Sequence, residues 1–262
     1  MQKNLGLPGN SWWPLFAAMA LAVVCISLLT RLYPLAGLAV IVAGLFLLRW
    51  SWENGAHPKA APDAEVAPGD PSLHSRTMDG PGRWAMSIAL LANGSLFLSY
   101  LFGWFYLWTV SPKWQMPDAS PLSLPGLVLA GAVLSAGTGV FEKLVRDLRQ
   151  GKDTGLAVGM YGISALGFVQ VAITLWVLLS ANLAVTESSH DAVIMVGLAY
   201  ALLHGGLGAV LALLQALRVG YGYVGAHAPF EPAVVVQWWR YNLVTFWLLV
   251  GALAVLPRII GS

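Results

Sequence analysis

The chain has 262 residues, of which 58% are hydrophobic and 10% charged, with a mean hydropathy of +0.70. An ordinary soluble domain carries about 25% charged residues, so this composition excludes a soluble globular protein and points to a polytopic membrane protein. A formal net charge of +2, spread over loops, excludes a nucleic-acid binder, and the lone Cys25 excludes a disulfide framework or a multi-cysteine metal site.

Crossing about 30 Å of hydrocarbon takes about 20 helical residues. Runs that meet this need fall at residues 12–31, 33–52, 83–110, 122–142, 155–184, 190–218 and 232–257, which predicts an all-α protein of seven transmembrane helices. The first two runs are separated by Arg31 to Pro34 alone and predict a tight two-helix hairpin within residues 1–52. One apolar run turns straight into another without a cleavage signal, so the N-terminus is expected to be retained. Residues 53–82 are rich in Pro, Ala, Gly and Asp without apolar periodicity and read as a connector; residues 83–262 then make a five-helix bundle. Arg31, Lys113 and Arg258 lie on one side of these spans, and the other ten Lys and Arg, leaving aside Arg240 within the last span, lie on the side of the N-terminus. That asymmetry places the N-terminus in the cytoplasm and the C-terminus outside.

Lipid supplies no hydrophobic drive for helix pairing, so small residues that let backbones approach are expected at the contacts. The fourth span offers Gly131, Ser135 and Gly139, and the sixth offers Gly197, Ala201, Gly205 and Ala209. In the third span Asn93, Phe97, Tyr100 and Trp104 fall at i, i+4, i+7 and i+11, which sets them on one helix face as a polar and aromatic seam. Counted from Trp84, Asn93 lies about 14 Å along its helix, inside the hydrocarbon, where an unpaired amide costs several kcal/mol. It must therefore have a partner.

Ionisable groups at membrane depth mark ion pathways by default. Glu142, His204 and Arg240 are the candidates, and they form no series with other carboxylates. Arg240 is placed to snorkel to the cytoplasmic interface, and Glu142 to pair with Arg146 one helical turn on. His57 and His74 fall in the connector, His190 and His227 near loop ends, and His204 alone lies within a span, too few imidazoles for an intramembrane haem or copper site. Motifs for metalloproteases, dithiol redox enzymes, serine hydrolases and P-loop proteins are missing, as is the mid-span lysine that a retinal protein needs in its last helix. No catalytic residue, resident cofactor or metal is expected in this chain.

Several stretches, taken in order, resemble subunit III of the haem-copper cytochrome oxidases. They are "LLANGSLFLSYLFGWFYLWTVSPKW" in the third span, "LLHGGLGAVLALLQALR" in the sixth, and "HAPFEPAVVVQWWRYNLVTFWLLVGALAVLP" across the last loop and span, with His227, Phe230 and Glu231 ahead of a Trp-rich helix. The likeness runs over most of residues 83–257. "LPGNSWWPL" near the start also resembles the junction in oxidases whose subunits I and III are fused, whereas Met1 favours a separate polypeptide.

The resemblance implies two helices and five helices diverging around a phospholipid-filled cleft. It implies an accessory subunit, free of cofactor, packed on subunits I and II of a terminal oxidase in a bacterial inner membrane. Haem and copper would reside in those partners, and the chain would support their stability and proton uptake. Asn93, His204, Glu231 and Asn242 are the family-equivalent polar positions. Asn93 stands where relatives usually carry a glutamate, a second histidine would fall at Leu207, and the His and Asp of the last helix would fall near Trp239 and Asn242. These exchanges remove titratable groups, which favours a packing or lipid-holding role over proton handling. Three other readings are an accessory protein of a nitric oxide reductase or quinol oxidase, which commonly lacks the first two helices, a seven-helix small-molecule transporter lined by Asn93, Gln170, His204, Gln215 and Asn242, and a membrane-embedded assembly factor.

Overall fold

The computed structural model describes residues 11–54, 81–112, 114, 122–152, 154–225 and 229–260. Most of the 53–82 connector, with His57 and His74, lies outside the described residues, as do Lys113 and His227. Among the described residues there is no β-strand, and seven apolar helices run in chain order: α1 (Trp13–Leu29), α2 (Tyr33–Asn54), α3 (Pro81–Val110), α4 (Leu124–Arg149), α5 (Leu156–Ser180), α6 (Ser189–Gly220) and α7 (Phe230–Val250). A π-helical turn at Gly251–Val255 carries α7 into the short α8 (Leu256–Ile260). Five helices, α3 to α7 with its extension, are long and apolar enough to cross a membrane, and α1 and α2 contain shorter apolar stretches, Trp13–Ser27 and Pro34–Trp50. The protein is thus an all-helical, multi-pass membrane protein.

The chain divides into two compact units, Met1–Leu73 and His74–Ser262. In the first, α1 and α2 form a hairpin through a turn in which Arg31 takes a left-handed conformation, φ 62°. Small side chains close the hairpin: Ala17, Ala20 and Ser27 of α1 and Ala36, Ala39 and Ala43 of α2 are buried, while Met19, Ile26, Leu38 and Ile41 face outward. Large residues outside and small ones inside suit a solvent as apolar as leucine, where close backbone approach replaces the hydrophobic drive. Near the open end Phe46 packs against Phe16 and Trp13, with ring centroids 5.8 and 5.9 Å apart, and the Arg49 guanidinium lies 5.8 Å from the centre of the Trp13 ring.

The second unit is built on α4 to α7. The Ser123 side chain accepts the backbone N–H of Gly126 and so starts α4. The predicted end at residue 142 falls short, because Phe141, Val145 and Leu148 continue the buried stripe and draw the helix on to Arg149. Conversely α5 stops at Ser180, ahead of the predicted 184, where Asn182 adopts φ 47°. Ser188 caps α6 by accepting the N–H of Asp191. Between α5 and α6, Gly167 lies so close to Ala209 that a methyl group on it would come within 2.8 Å of the Ala209 Cβ, and the Ser164 hydroxyl donates to the Ala209 carbonyl at 3.1 Å. From α7, Trp239 reaches across to α4 and α6: its ring meets Phe141 edge-on at 6.0 Å, and its indole N–H donates to the Gly208 carbonyl at 3.0 Å.

The glycine stripe of α4 splits in a way its spacing conceals. Gly131 is buried beneath the Trp247 indole, and Ser135 accepts the Trp247 N–H at 3.1 Å. Gly139, expected at the same contact, faces outward with nothing near enough to touch a methyl group placed on it. The correction is geometric: at 3.6 residues per turn each step of four overshoots the helix face by about 40°, so the third member has rotated away. Gly137 takes the close approach in its place, against the Trp239 ring. Thermal unfolding in detergent should separate the two positions. Gly131→Ala, whose Cβ would sit 2.6 Å from Trp247 Cζ2, is expected to cost about 1–3 kcal/mol. Gly139→Ala should be neutral or slightly stabilising, because alanine favours the helix by about 1 kcal/mol with no steric cost here.

Candidate functional site: a buried polar cluster on α3, α6 and α7

The expected partner of Asn93 is His204. The Asn93 side chain lies 2.7 Å from Nε2 of the imidazole, linking residues 111 positions apart in sequence. Proton positions follow from the remaining bonds. His204 Nδ1 is 2.9 Å from the Tyr200 carbonyl, which can only accept, so Nδ1 carries the proton and donates. Nε2 then accepts from the Asn93 amide N–H. The Tyr200 hydroxyl donates to Asn93 Oδ1 at 3.4 Å, which leaves its oxygen free to accept from the Tyr241 hydroxyl at 2.5 Å. The chain Tyr241, Tyr200, Asn93, His204 is therefore an ordered series of neutral donors and acceptors spanning three helices.

Below the ring the His204 carbonyl is also engaged. The Asn242 side-chain N–H donates to it at 2.8 Å and the Trp238 indole N–H at 3.1 Å. Trp238 lies nearly parallel to the imidazole, at 7° and 5.4 Å, and Tyr200 stacks on the other ring contact at 3.9 Å. Both ring nitrogens and the backbone oxygen of His204 are thus committed, and the residue is buried. Asn93, Tyr200 and Tyr241 are half-buried, so the cluster reaches the rim of the five-helix unit.

The same contacts explain how α3 is attached. Of the most apolar window of α3 only 6% is buried within the protein, against 33–50% for the other four spans. The helix is held along one strip, the predicted seam. Phe97 and Trp104 are buried; Phe97 packs on Tyr200 at 5.4 Å, and the Tyr100 hydroxyl donates to the Val193 carbonyl of α6 at 2.9 Å. At the far end the Ser111 and Ser189 hydroxyls pair at 2.8 Å.

The remaining candidates fall elsewhere. Glu231, at the start of α7, receives a two-pronged hydrogen bond from Arg218 at the end of α6, at 2.7 and 2.6 Å, and a third bond from Gln215 at 3.2 Å. This is a clamp on the α6–α7 turn, well along α6 from His204. Glu142 does not take Arg146 as its partner: the Arg240 guanidinium donates to it at 2.7 Å, which ties α4 to α7 and gives Arg240 a fixed contact. Gly197 and Gly205 lie at crowded contacts, against Tyr100 and Gln170 respectively, and Ala201 is buried between them on the same helix face. Leu207 is turned outward, 44% exposed, apart from the cluster.

Two tyrosines and one tryptophan of the cluster escaped the sequence reading. Tyr200 carried a usable signal, lying four residues before His204 on the same face of α6. Tyr241 and Trp238 carried none, since their role depends on how α7 is rotated against α6. Among the described residues no three His, Cys, Asp or Glu side chains come together as a metal site. The cluster can hold helices in register and orient an imidazole. As a proton wire it is interrupted by Asn93, whose amide has no proton to exchange in the manner of a carboxyl or imidazole. Neither a family model nor a curated protein matches the chain.

Proposed function

We propose that this chain is an accessory subunit of the subunit III type in a terminal haem-copper oxidase. It packs on the catalytic subunit I and its subunit II in a bacterial inner membrane, with its N-terminus cytoplasmic. The observation that supports the reading best is the commitment of His204: the one histidine that the sequence sets within a span spends both ring nitrogens on Tyr200 and Asn93, as a helix fastener does and a cofactor ligand cannot. Beside it stands the resemblance carried by the third, sixth and last spans. In this reading the chain holds phospholipid and contributes durability and support of proton uptake to a partner that holds the haems and copper and reduces oxygen. The neutral cluster favours support through packing and lipid over proton transfer by these side chains.

The reading is tested on the isolated subunit. Its absorbance spectrum should show protein bands alone, with no haem or copper features; a stoichiometric Soret band on the purified chain would overturn it. A cavity of about 10 Å³ beside His204 has room for one water, which weighs against a small-molecule transporter built around these residues.

A further inference from the structure

We infer that one structural water molecule occupies a small site where α4, α5, α6 and α7 meet, bound by the side-chain oxygens of Gln170 and Asn242. Three observations carry this. A cavity of about 10 Å³ lies there, bounded by Gln170, Gly205, His204, Asn242, Thr245 and Phe246; that is the space of a single water. Gln170 is 1% exposed and Asn242 4%, and in each the amide nitrogen is satisfied while the oxygen has no partner within the protein: Gln170 donates to Thr174 at 3.1 Å and Asn242 to the His204 carbonyl at 2.8 Å. Finally, Gly205 lets the Gln170 oxygen sit at the edge of this cavity, since a Cβ there would come within 2.5 Å of Gln170 Oε1.

The stoichiometry favours water over an ion. Two neutral acceptor oxygens match the two O–H donors of one water, whereas a bare cation would need several more oxygens around it. Turning either amide over would break its present bond, to Thr174 or to the His204 carbonyl. The water therefore completes the hydrogen bonding that starts at Asn93, linking α5 to a cluster that otherwise joins α3, α6 and α7.

A density map of the protein in a nanodisc, at a resolution that shows other buried waters, tests the site directly. The expected result is a peak within hydrogen-bond distance of both Gln170 Oε1 and Asn242 Oδ1, and its loss or displacement in Gly205→Ala, where the added methyl would drive Gln170 Oε1 from its place. An empty cavity in the unaltered protein would overturn the inference. So would amides found turned toward each other or toward other protein groups, or a peak that persists unchanged in Gly205→Ala. Should that variant fail to fold, the map of the unaltered protein decides alone.

Discussion

Adding a single methyl group at Gly197 is expected to cost about 3 kcal/mol of stability, at the upper end of the usual overpacking range. A Cβ at this position would overlap the Tyr100 hydroxyl and would come within 2.8 Å of Leu253 Cδ1 and 3.0 Å of Tyr100 Cζ. The hydroxyl cannot retreat freely, because it donates to the Val193 carbonyl one turn away on the same helix. Leu253 cannot either, since it is 1% exposed within the π-helical turn. Gly197→Ala must therefore push α3 from α6 along the one strip that holds it. Removing the hydroxyl should relieve part of the overlap: Tyr100→Phe alone loses one hydrogen bond, about 1 kcal/mol, and the double variant should unfold at a higher temperature than the sum of the two losses implies. Strictly additive losses in thermal unfolding would show that the two side chains do not meet.

Asn93→Glu is the second large effect, and it changes chemistry as well as packing. In the native cluster the imidazole Nε2 accepts from an amide N–H. A carboxylate offers no proton there, so two acceptors would face each other until a proton is taken up by the ring or by the acid. The pair would then titrate, with one proton shared between residues 93 and 204, and stability would acquire a dependence on pH that the native amide does not confer. Asn93→Leu is the control: it strips Nε2 of its donor and Tyr200 of its acceptor, at a cost of about 1–2 kcal/mol, without adding a titratable group. Unfolding measured across neutral pH separates the two variants. Within a complex, the neutral account predicts that Asn93→Glu lowers stability or leaves oxidase activity unchanged; a clear gain in proton pumping would contradict it.

The sequence exposed those features that depend on a single helix. Apolar length located seven helices, and the spacing of Asn93, Phe97, Tyr100 and Trp104 defined the strip by which α3 is attached. The need for a partner at Asn93 followed from the cost of a bare amide in hydrocarbon. Features that depend on how two helices are rotated against each other stayed hidden. Glu142 had an acceptable partner in Arg146 on its own helix, yet Arg240 reaches it from α7, 98 residues away. Gly131 and Gly139 looked equivalent, yet Gly131 lies under Trp247 and Gly139 has rotated away from it. The alanines that close the α1–α2 hairpin are unremarkable in an apolar run until their burial is seen. The π-helical turn at Gly251–Val255 likewise has no periodic signature at five residues.

An accessory oxidase subunit is defined by what it binds in its own membrane. Extracting the full-length protein in a mild detergent and recording the absorbance spectrum of everything that co-purifies tests that role most directly. A large haem-containing partner is expected in fixed proportion, with reduced-minus-oxidised haem bands that are absent from the chain once it is separated. Recovery as a free monomer or homo-oligomer, with no haem protein attached, would contradict that role.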